Sequence, residues 1–134
     1  MQFMHYSKIP WNSQRWPNFT PSEFASPDNG QTPYWPEFYD RLQAARTAVG
    51  KPFKINSAHR SWRYNLSVGG APMSEHKRLA VDISLRGHNK FALRDTLRAA
   101  GFKGVGMYQT FLHVDLGRKR FWYGGEYSKK AWTK

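Results

Sequence analysis

The sequence predicts an α+β fold, a small antiparallel sheet flanked by helices, and three observations carry that prediction. Segments 36–49 and 88–100 repeat their apolar residues at helical spacing. Segments 79–85 and 111–116 alternate apolar and polar residues, as half-buried strands do. The length, 134 residues, is that of one domain.

Residues 1–35 hold five of the eight prolines, Pro10, Pro17, Pro21, Pro27 and Pro33, together with Trp11, Trp16, Phe19, Phe24, Tyr34 and Trp35. Proline blocks regular structure while the aromatic rings bring buried area, so this stretch reads as an extended arm packed on the domain, with one helical turn near Ser22–Phe24. In 36–49, Phe38, Leu42, Ala45 and Val49 form an apolar stripe. Pro36 is tolerated in the first turn, and Gly50 ends the helix. Phe53–Ala58 reads as a short strand. In 79–85, Leu79, Val81, Ile83 and Leu85 face a core and leave Asp82 on the other face. A second helix, through Phe91, Leu93, Leu97 and Ala100, is closed by Gly101. Gly104–Tyr108 is expected to pair, through a turn at Gln109–Thr110, with 111–116, where His113 and Asp115 share the face opposite Leu112 and Val114. The whole of 1–134 is taken as a single unit.

Composition narrows the chemistry. Without cysteine, the chain has no disulfide framework, thiol nucleophile or thiolate metal ligand, so any site must use His, carboxylates or hydroxyls. With 21 Lys+Arg against 9 Asp+Glu, the net charge of +12 asks for a polyanionic partner. No basic segment followed by an apolar run opens the chain, and no apolar stretch is long enough to span a bilayer, so synthesis in the cytoplasm is expected. The segment 117–134 carries Arg118, Lys119, Arg120, Lys129, Lys130 and Lys134 against the single acid Glu126, interleaved with Phe121, Trp122, Tyr123, Tyr127 and Trp132. Lys129, Lys130, Trp132 and Lys134 are therefore candidates for contact with an anionic surface, the earlier aromatics being assigned to packing.

Asp82 and Asp115 stand on short apolar strands, where an unpaired charge is expensive. His76, Asp82 and His113 would supply the two-His, one-carboxylate set of a hydrolytic zinc site. Asp115, about 7 Å along the strand from His113, would serve as the general base. The alternative at this point is a structural set in which the Asp residues simply hydrogen-bond the His rings.

A resemblance favours the metal. The segments Asn56–Ser61, Val68–Ala71, Ser74–Ile83, Gly104–Tyr108 and Phe111–Gly117, with the lead-in Phe19–Phe24, resemble the VanY and D-Ala-D-Ala carboxypeptidase group of zinc murein peptidases. The resemblance implies a hedgehog/DD-peptidase-like fold, Zn2+ held by His76, Asp82 and His113, and a substrate-binding Arg60 with Ser74 lining the same site. Two features depart from the group's pattern. His76 and Asp82 are six residues apart rather than seven, and Thr110 stands where many members carry an acid, which leaves Asp115 as the expected base. The implied reaction is hydrolysis of a peptide bond in the peptidoglycan stem peptide. Small size and positive charge suggest a monomeric phage endolysin released to the wall at lysis, with an anionic outer-membrane or lipopolysaccharide surface as a further partner and no specific nucleic acid. A cationic envelope or nucleic-acid binder without catalysis is the competing reading.

Overall fold

A computed structural model describes residues 2–70 and 75–133. Ser74 and Lys134, two of the candidate site residues, lie outside this described set. The N-terminal stretch contains a two-stranded antiparallel ladder, β1 (Gln2–His5) with β2 (Gln31–Tyr34), which the sequence reading did not anticipate. Its proline content argued against strands, but Pro33 needs no ladder donor at the edge of so small a sheet. A short 3-10 turn at Pro21–Phe24 falls where a helical turn was expected.

Helix α1 (Pro36–Val49) has the expected bounds, and Gly50 closes it in the left-handed region, φ 74°, which a side chain would resist. Its buried face, Phe38, Tyr39 and Leu42, meets Trp16 and Phe24 from the N-terminal stretch. Asp40 ties the same stretch down by accepting from the Arg15 guanidinium at 2.6 and 2.7 Å and from Trp16 Nε1 at 2.8 Å.

The main sheet is built from β3 (Ile55–Ser57), β4 (Ala80–Ser84), β5 (Gly104–Met107), β6 (Phe111–Asp115) and β7 (Arg120–Tyr123). Their order is β3-β4-β6-β5-β7. The first three pairings are antiparallel, as expected, but β5 and β7 run parallel, so the sheet is mixed. Helix α3 (Lys90–Ala99) and α1 cover one face, where Leu93, Leu97, Phe38 and Leu42 pack with Val81, Ile83, Val105, Leu112 and Val114. Two shorter helices, α2 (Trp62–Ser67) and α4 (Glu126–Trp132), complete the structure. No helix among the described residues is long and apolar enough to cross a membrane.

Strand alternation fixes the functional face. With Val81, Ile83, Leu112 and Val114 committed to the core, Asp82 and His113 must project from the opposite side. The β4–β6 register sets Asp82 directly across from His113. A bulge in β3, between Ile55 and Ser57, lies beside Asp82.

Candidate metal centre

A 3-10 turn at Glu75–Lys77 precedes β4 and swings His76 over the paired strands. His76 Nε2 lies 3.1 Å, and His113 Nδ1 3.0 Å, from the same oxygen of Asp82, Oδ1. Ligand atoms of the three residues all fall within 4.8 Å of one another. The six-residue spacing from His76 to Asp82 therefore still brings the pair together, the shorter connection being taken up by the tight turn ahead of β4.

The far side of each ring decides what the near side offers. His76 Nδ1 donates to the carbonyl of Ala58, and His113 Nε2 donates to Asp115 Oδ2 at 2.6 Å. Carbonyls and ionised carboxylates only accept, so each ring proton is placed outward and each inward nitrogen presents a lone pair. Two lone pairs and a carboxylate converging on one point repel one another unless a cation sits between them. Burial pushes the Asp82 carboxyl up, but hydrogen bonding to His113 and His76 outweighs it and holds the group at about 2. Burial lowers His113, while Asp115 and Asp82 more than offset that and raise it above the usual imidazole value. A set of two neutral imidazole nitrogens and one carboxylate suits Zn2+, and the outward hydrogen bonds are the supports such ligands need.

Asp115, the expected general base, lies behind the His113 ring. It is fully buried, and both of its oxygens are engaged. Oδ1 accepts from Gly117 N at 2.9 Å and Arg120 Nη1 at 3.0 Å; Oδ2 accepts from Arg120 Nη2 at 2.9 Å and from His113. Burial would raise its pKa, but the His113 and Arg120 hydrogen bonds drive it far below the usual carboxylate range, leaving little affinity for a proton. Asp115 Oδ2 receives the His113 ring proton, an arrangement suited to orienting His113.

Arg120 was read from the sequence as part of a basic tail. Instead, β7 carries it onto the metal face, where its planar fork grips Asp115 through two nitrogens. Trp122, two residues on, shares that face. Its indole lies 5.2 Å from the His113 ring, donates to Tyr108 Oη at 3.0 Å and covers Gly106, where a Cβ would strike it. The alternation Arg120, Phe121, Trp122, Tyr123 was the available signal for a strand.

The remaining assignments divide. The Arg60 backbone donates to the His76 carbonyl at 2.6 Å, which seats it beside the trio, and its buried Nε–H has no acceptor among the described residues. Lys129 and Lys130 are exposed on α4. Trp132, expected at an anionic surface, is only 3% exposed; it packs in the core and donates to the Tyr108 carbonyl at 2.8 Å. The expected division of the tail is reversed in part, since Phe121 and Tyr123 are exposed while Trp132 is the anchor. Ser128 and Trp132, four apart, form the buried face of α4. His59 and His88 donate to the Arg78 and Pro52 carbonyls.

A search of curated proteins finds no match to this chain. A family model described as Peptidase M15 matches residues 17–115, a span that runs from the N-terminal aromatic stretch through all three converging ligands to Asp115. The chain therefore belongs to the M15 peptidase family, whose members are zinc-dependent.

Proposed function

We propose that this peptidase hydrolyses a peptide bond in the bacterial peptidoglycan stem peptide, and that it is a phage endolysin, a monomer acting on the wall after release. The observation that carries the reading is the convergence of His76 Nε2, Asp82 Oδ1 and His113 Nδ1 with both ring protons held outward, next to an Arg60 whose Nε–H has no acceptor among the described residues. His76, Asp82 and His113 would hold the zinc, which supplies Lewis-acid activation of water and of the scissile carbonyl.

The chain's own residues do the rest. Asp115, gripped by Arg120, keeps the His113 proton on Nε2 and so keeps Nδ1 available as a ligand. Ala58 does the same for His76 through its carbonyl. Arg60 offers a planar donor to a substrate carboxylate or carbonyl, and a stem peptide is rich in both. Trp122 and Tyr108 wall the site beside His113 and shed water from that side.

The test is mass spectrometry of purified peptidoglycan after digestion, with zinc content measured on the same sample. Stoichiometric zinc and new peptide termini that vanish with chelator are expected. A protein that carries zinc yet leaves every stem peptide intact overturns the substrate, and one that takes up no zinc overturns the reading entirely.

A further inference from the structure

At β7 the two faces of the sheet diverge. Arg120 and Trp122 face the metal centre, so Lys119 and Phe121, one residue out of phase, face the other way. There the end of α3 and the β5–β7 edge enclose an open groove of about 540 Å³, lined by Asp95, Arg98, Phe102, Lys103, Lys119 and Phe121.

Its charge is unbalanced by construction. The parallel register pairs Gly104 with Arg120, and the residues that precede them, Lys103 and Lys119, both line the groove. Arg120 N–H donates to the Lys103 carbonyl at 3.0 Å, which joins the two segments there. The one acid in the groove gives little relief, because Asp95 already accepts from Arg94 Nε at 3.0 Å. The Arg98 guanidinium sits over Phe121, Cζ 4.3 Å from the ring centre, and makes no hydrogen bond or ion pair among the described residues, so its N–H groups stay open. Three cations gathered in one groove without a side-chain acceptor among the described residues are a site for repeated anions.

We propose that this groove binds a phosphodiester polymer of the bacterial envelope whose repeating units carry no aromatic base, holding the enzyme on the wall from the side opposite the metal centre. The spread of three cations along an open groove suits successive phosphates rather than one ion. Nucleic acid fits less well, because the exposed ring, Phe121, has a face already covered by Arg98 and so withheld from base stacking. The anion chemistry stands on the groove alone; the envelope as its source rests on the peptidoglycan reading above.

The experiment measures binding of a poly(glycerol phosphate) chain to the zinc-loaded protein and to the Arg98→Gln/Lys119→Gln double variant, with single-stranded DNA of equal phosphate number as comparator. Because a basic group near an anionic surface contributes on the order of a few-fold each, the pair should weaken polymer binding by about thirtyfold. Zinc content and hydrolysis of a soluble stem peptide should be unchanged, and Lys129→Gln/Lys130→Gln should bind like the parent. Unchanged affinity in the groove variant, an equal loss in the α4 variant, or tighter groove-dependent binding of DNA than of the polymer would each overturn the proposal. Failure of the peptidase reading would look different, with polymer binding intact and stem peptide uncut.

Discussion

Replacing Asp115 with asparagine separates two roles that a carboxylate beside a zinc ligand can play. The amide is nearly the same shape, so the packing is kept, but it carries a donor where the carboxylate had only acceptors. If the NH2 faces His113, Nε2 must accept, and the ring proton moves to Nδ1, the atom that serves the metal. If the NH2 faces the other way, it opposes the N–H groups of Arg120 and Gly117. Either arrangement weakens the ligand set, and loss of such a supporting group costs about 10–100-fold in metal affinity, or roughly 1.4–2.7 kcal/mol. The metal-free fold loses stability as well, because Arg120 keeps its charge without a counter-charge. Its side chain is 22% exposed and partly hydrated, which puts that loss below the ~3–5 kcal/mol of a fully buried broken pair. The assay is a competition titration with a chromophoric zinc chelator near neutral pH, alongside thermal melts. An Asp115→Asn protein that binds zinc as tightly as the parent while losing hydrolysis would refute the positioning role and return Asp115 to proton transfer.

Gly104→Ala should disturb the same clamp from another direction, since a Cβ there would collide with the Asp115 carboxylate and the Arg120 guanidinium; a lowered melting temperature together with weaker zinc binding is expected, and the same melt as the parent would show that the clamp has slack. Trp132→Ala should cost about 3–5 kcal/mol in urea unfolding, as for a large core residue, and a loss confined to surface binding would contradict its burial. Tyr39 is buried and donates to the Pro33 carbonyl at 2.6 Å, and burial pushes its phenol up to about 12. The unfolded chain releases that proton near pH 10, so the stabilisation it gives is complete below pH 10 and is lost progressively as pH rises toward 12, reaching about 2.7 kcal/mol. Tyr39→Phe should therefore flatten the alkaline limb of the stability curve, and an unchanged limb would assign it to other groups.

Helix α1 and the faces of β4 and β6 were legible in the sequence because helical and strand periods are local. Once Val81, Ile83, Leu112 and Val114 are committed to a core, Asp82 and His113 can only point away from it. The pairing that makes them a metal site follows from a register the alternation allowed but did not dictate, Asp82 against His113. Three features came from tertiary structure alone. Parallel pairing of β7 with β5 brings Arg120 onto Asp115, so the expected base is clamped between Arg120 and His113. The same pairing brings Lys103 and Lys119, sixteen positions apart in the chain, to one groove and concentrates there a charge that composition could report only as a total. The Tyr108 carbonyl gives Trp132 an interior partner, so a residue suited to an interface became part of the core. Periodicity fixes which way a side chain points from its own element; whether it meets solvent, a counter-charge or a metal depends on what distant segments bring to that face, and desolvation there sets its chemistry.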